Sequence, residues 1–244
     1  RCFMYGMYGY GYGYGLDPTI ILVLIGVALS LWAQGRVNST FSRYSRVRSM
    51  TGMTGAEAAR RLLKAQGIYD VTVQQIAGEL TDHYDPRTKT VNLSQSVYGA
   101  TSVAAIGVAA HECGHAMQDN EGYAPLRFRS ALVPVANFGS SLSWPLILLG
   151  LVFGGLGSPL VEIGILMFSL AVLFQLVTLP VEYNASARAV RLLDAQGILA
   201  GEEVNGTRKV LNAAALTYVA AAATSILQLL RLIILFGGRN RRDR

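Results

Sequence analysis

The sequence predicts an α-helical membrane protein with about four transmembrane helices and a small α+β body. Three observations carry this. Of 244 residues, 52% are hydrophobic and only 15% charged, well away from the balance of a soluble domain. The apolar residues gather in long runs, and the four longest approach the roughly 20 residues needed to cross a bilayer. The basic residues flank those runs: Arg36, Arg43, Arg46 and Arg48 follow the first, Arg127 and Arg129 precede the second, and Arg188 and Arg191 follow the third. Such flanks hold loops on the cytoplasmic side. The net charge of +6 therefore speaks for a lipid bilayer and not for nucleic acid, which would need one basic stripe interleaved with aromatics.

Residues 1–15 (RCFMYGMYGYGYGYG) are Tyr/Gly low complexity and are expected to be a disordered tail, because glycine raises the entropy cost of ordering. Residues 16–33 are expected to form a transmembrane anchor, with Asp17 and Pro18 at its start and Trp32 near the far interface. No basic region precedes this run and no small-residue cleavage site follows it, which distinguishes an anchor from a removed signal peptide.

Residues 34–130 carry spread charges and form the expected catalytic body. Gly55 to Gln66 reads as an amphipathic helix stopped by Gly67, and Val71 to Ile76 as a strand. Asp85-Pro86 punctuates two extended pieces between Leu80 and Ser94 and predicts a hairpin. A transmembrane hairpin is expected over 131–180, turning at Gly157-Ser158-Pro159. A helix over 181–210 follows, with Pro180 at its start, and then a last apolar helix and basic tail over 211–244, with Arg231 inside the apolar run. Arg61 to Ile68 (RLLKAQGI) and Arg191 to Ile198 (RLLDAQGI) match at all but one position, which predicts one helix ending used twice, with glycine as the left-handed cap. Cys2 and Cys113 allow no disulfide framework to be read.

The chemistry sits at HECGH, residues 111–115. It follows the proline-free apolar run TSVAAIGVAA, so it falls on a buried helix. There His111 and His115 are one turn apart on one face and can point two imidazoles at one ion. Glu112 is rotated off that face by about 100°, which suits it to activate a water and not to bind the metal. Histidines and a glutamate buried together would be costly without a metal, so a zinc ion is expected, one per chain, in a zincin-like body. A catalytic zinc takes three protein ligands. For the third, His83, Asp119 and Glu182 are the candidates; Asp119 could instead orient His115. Small residues beside Glu182 (Ala185, Ser186, Ala189) would let its helix pack on the metal helix.

The segments ELTDHYDPRTKTVNLS, AAIGVAAHECGHAMQ, ALVPVANFGSSLSWPL, FQLVTLPVEYNASARA and LNAAALTYVAAA resemble the YugP-type family of neutral zinc metallopeptidases of bacterial membranes, from Asp17 nearly to the C-terminus. More distantly, the layout resembles the HtpX-type membrane proteases, in which a helix pair separates the metal histidines from a glutamate in an ExxA(D) motif. That resemblance implies Glu182, with Ala185, as the third ligand. Ser186 stands where the HtpX pattern has an acid, and Asn184 where close relatives usually have Asp. Ser186 and Arg188, with His83 and Asp119, are candidates for groups that support the ligands or meet substrate.

The expected function is hydrolysis of peptide bonds in proteins or peptides by a zinc-activated water, with Glu112 as general base. Thr90 to Ser94 could pair with substrate as an added strand. The expected location is the bacterial cell membrane with the site facing the cytoplasm. A non-catalytic, zinc-bearing scaffold or quality-control adaptor is the competing reading, but it gives Glu112 no task. A transporter suffers from the scarcity of polar residues in the expected spans, where Glu162 is the sole carboxylate of the central hairpin.

Overall fold

The computed structural model describes residues 17–155 and 158–236; the Tyr/Gly-rich stretch lies outside them. Seven helices and three strands follow in the order α1 (Ile20–Ser45), α2 (Gly55–Ala65), β1 (Thr72–Ile76), β2 (His83–Asp85), β3 (Thr90–Ser94), α3 (Gln95–Tyr98), α4 (Val103–Asn120), α5 (Ala124–Gly154), α6 (Pro159–Ala195) and α7 (Glu202–Phe236). Four of these, α1, α5, α6 and α7, are long and apolar enough to cross a membrane. Their outward faces carry large apolar side chains such as Leu31, Phe138, Val152 and Phe153.

All four outrun the apolar stretches that announced them. A 37-residue helix such as α6 is roughly 55 Å long, against about 30 Å of hydrocarbon. The surplus turns of α1, α6 and α7 reach the body, where Phe41, Tyr44, Leu193 and Val204 pack in or against its core. Pro180 was expected to open a helix; instead α6 runs straight through it. An internal proline costs about 3 kcal/mol, and the burial of Thr178, Val181, Glu182, Ala185 and Ala189 around it holds the helix together regardless. Nor is 181–210 one helix: α6 ends at Ala195 and α7 begins at Glu202.

The two copies of the AQGI ending do form the same cap. Gly67 and Gly197 have φ of 71° and 60°. The Ile68 and Ile198 amides donate to the Leu63 and Leu193 carbonyls at 2.9 and 3.0 Å, and both isoleucines are buried. Arg61 of the first copy donates to the Gln196 carbonyl of the second at 2.8 Å. At the other end of α2, Thr54 and Glu57 close a capping box.

The sheet has the order β1-β3-β2, with β1 parallel and β2 antiparallel to β3. The expected hairpin is present. β3, however, is the central strand, so Thr90–Ser94 is paired on both sides and has no edge for a substrate. β1 and β2 are the two edges. One core unites α2 (Ala58, Ala59, Leu62), β3 (Val91, Leu93) and α4 (Ile106, Ala109, Cys113) with the end of α6 (Leu193).

Candidate metal centre

Helix α4 starts at Ser102, whose hydroxyl accepts from the Ala105 amide at 3.2 Å. Its residues are alanine, glycine and small aliphatics up to His111, so α2, α6 and α7 can close around it. The helical period then sets His111 and His115 edge to face, with ring centroids 4.8 Å apart. Helix α6 brings Glu182 to them. Its Oε2 lies 3.2 Å from His111 Nε2 and 3.6 Å from His115 Nε2. The three potential ligand atoms all fall within 4.8 Å of one another.

The far ring nitrogens are also held. Ser186 Oγ sits 3.1 Å from His111 Nδ1, and Gln118 Oε1 sits 3.0 Å from His115 Nδ1. An amide oxygen only accepts, so His115 donates from Nδ1 to Gln118, which leaves Nε2 as the ring atom that faces Glu182 and is available to an ion. Gln118 is itself fully buried, and its Nε2 donates to the Val181 carbonyl at 2.9 Å and to Asn184 Oδ1 at 3.0 Å. Asn184 accepts as well from Arg188 Nε at 2.7 Å. Its amide oxygen thus does the accepting that an aspartate would do at this position, and Ser186 fills the acid's place with a hydroxyl.

The charges fit a cation. Glu112 and Glu182 are buried at 7% and 2% exposure, and two buried carboxylates require positive charge nearby. Arg129 supplies part of it, with Nη1 3.8 Å from Glu182 Oε1. Burial pushes the His115 imidazole down, but the Glu182 and Glu112 carboxylates more than reverse this and raise it above the ordinary histidine range. Two neutral-capable imidazoles and one carboxylate, with their second atoms committed, suit a divalent ion such as zinc.

Two cavities meet at this trio, one of about 680 Å³ bounded by β2 and α5 and one of about 270 Å³ bounded by α1 and α7. His111, Glu112, Glu182 and Tyr218 border both. His83 lines the larger cavity but stands outside the trio, bonded through its ring nitrogens to the Thr81 carbonyl at 2.9 Å and to Asn92 at 3.2 Å. Asp119 does not orient His115. It accepts from Tyr84 at 2.8 Å and Lys89 at 2.7 Å, which ties the β2–β3 hairpin to α4 and leaves Gln118 as the partner of the histidine. Arg188 reaches Glu121 at 2.6 Å as well as Asn184 and makes no contact with the trio. Gln118, Arg129 and Tyr218 escaped the sequence reading; the spacing of Gln118 three residues beyond His115 was a usable signal, whereas Arg129 looked like one more flanking charge.

A family model described as "Putative neutral zinc metallopeptidase" matches residues 19–237. The chain is 49% identical over 217 residues, covering 89% of its length and 96% of the relative's, to the Bacillus subtilis (strain 168) protein named "Putative membrane protease YugP". No solved structure matches. With nearly its whole length covered by both comparisons, the chain belongs to this zinc metallopeptidase family.

Proposed function

We propose that this protein is a membrane-embedded zinc metallopeptidase, in which His111, His115 and Glu182 hold the ion and Glu112 is the general base. One observation carries the reading: His111 Nε2, His115 Nε2 and Glu182 Oε2 converge where two cavities meet beside Glu112. Zinc bound there supplies Lewis acidity that polarises the scissile carbonyl and lowers the pKa of a water toward about 7.

The chain's own groups do the rest. Glu112 takes the proton of the attacking water and delivers it to the leaving amine. Gln118 and Ser186 keep the imidazoles aimed, and Arg129, beside Glu182 Oε1, leaves Oε2 for the ion. β2 is the free edge next to the larger cavity, so an extended peptide can add to it as a further strand, with main-chain bonds giving little side-chain selectivity.

Membrane embedding is supported by α1, α5, α6 and α7 and by the pairing of Arg231 with Asp17 at 3.3 Å, which removes the one unmatched charge of the last apolar run. The basic flanks favour a cytoplasmic site in the bacterial cell membrane. The test is metal analysis of the purified protein with a casein digestion. One zinc per chain and a cleavage abolished by chelator and restored by zinc are expected. Zinc without any cleavage would favour the scaffold reading instead.

A further inference from the structure

A second cavity system opens away from the metal centre, between α1, α6 and α7. Its volume is about 650 Å³, and Arg36, Arg43 and Lys209 line it together with Tyr44, Tyr183 and Asn212. Among the described residues no acidic side chain lines it. Among the described residues none of the three cations takes part in an ion pair, and the Arg43 guanidinium stacks 5.7 Å over the Tyr44 ring.

Its depth follows from the register of α1 on α7. Asp17 meets Arg231 at one end of the pair, and Thr224 Oγ1 donates to the Gly26 carbonyl at 3.1 Å further along. Counting helical rise from that end, Arg36 lies roughly 24 Å beyond Ile20 on α1 and Lys209 roughly 33 Å from Arg231 on α7. A hydrocarbon core of about 30 Å therefore ends at the level of these side chains. The lining also changes character along α7: Lys209 and Asn212 lie on the outer side, and Ala213 and Leu216, toward Arg231, on the bilayer side.

We propose that this cavity binds the phosphate headgroup of an anionic phospholipid, with the acyl chains leaving past Leu216 into the bilayer. The inference rests on the membrane-embedded reading above. The shared chemistry is a phosphate held by three cations and the tyrosine, serine and amide donors around them; the polar-to-apolar gradient selects a lipid over free phosphate. Basic pockets between membrane helices at the headgroup level recognise anionic lipids in this way.

The test is native mass spectrometry of the full chain released from detergent with dioleoylphosphatidylglycerol and dioleoylphosphatidylcholine in equal amounts. The wild type is expected to retain the anionic phosphatidylglycerol roughly tenfold better. The triple variant Arg36→Gln/Arg43→Gln/Lys209→Gln should lose that preference, while a charge-matched control, Arg46→Gln/Arg61→Gln/Lys64→Gln, keeps it. Thermal melting checks that both variants fold, and the three lining cations are at the surface. Equal retention of the two lipids by the wild type, or an undiminished preference in the triple variant, overturns the pocket alone. Displacement of the lipid by inorganic phosphate assigns the cavity to soluble phosphate and overturns the lipid assignment. A chain that stays in solution without detergent and keeps neither lipid overturns the membrane reading, and the pocket with it.

Discussion

Gly114 lies so close to Ala185 that a Cβ on the glycine would stand 2.6 Å from the Ala185 carbonyl oxygen. The contact joins α4 to α6 one residue before His115 and three after Glu182, so the absence of one side chain sets the separation of the two helices that carry the candidate ligands. Backbone cannot yield as a side-chain tip can. Gly114→Ala should therefore push the helices apart, destabilise the fold by about 1–3 kcal/mol and weaken zinc retention. A melting curve and metal content equal to wild type would show that the spacing is not critical.

Glu112→Gln removes the base and leaves all three proposed ligands. Zinc content should be unchanged, and the casein cleavage rate should fall by about 10²–10⁴. Undiminished cleavage would remove Glu112 from the mechanism.

Glu182→Ala and His83→Ala separate the two ligand candidates that border the same cavity. The first should lose zinc and activity together, and also stability, because binding of the ion ties α4 to α6. The second should keep its zinc and alter at most the handling of substrate along β2. Metal analysis of both purified variants decides: a full complement in Glu182→Ala with an empty His83→Ala reverses the assignment.

Gln118→Leu deletes the acceptor at His115 Nδ1 and leaves the His115 ring free to change tautomer. Zinc affinity is expected to drop about 10–100-fold, read by competition with a chromogenic chelator, with Glu112 and the cavity intact. Gln118→Glu restores an acceptor and should recover part of the affinity; an equal loss in both variants would point to packing alone.

Met50 is 89% exposed on the body, whereas Cys113 is buried. In a Cys2→Ser background, Met50→Cys should resist an impermeant maleimide added to intact cells and react after lysis. Labelling from outside would place the body, and the metal centre with it, on the other face.

The sequence by itself determined what depends on neighbours in the chain. Helical period alone puts the imidazoles of HECGH on one face, hydropathy alone marks the four long helices, and the glycine of AQGI ends a helix in both its copies because its φ is positive in each. Tertiary structure decided everything that depends on where helices meet. α6 continues through Pro180 because Val181 and Ala185 are buried against the body, a fact no propensity contains. β3 is central and β2 an edge because β1 pairs in parallel with β3 and not with β2. Gln118 and Asp119 are adjacent and both polar, yet one turns to His115 and the other to Lys89 and Tyr84, since consecutive residues on a helix point about 100° apart. Spacing left His83, Asp119 and Glu182 open as the third member of the trio. α6 passes close against Gly114 through Ala185, and one turn earlier on the same helix Glu182 stands 3.2 Å from His111.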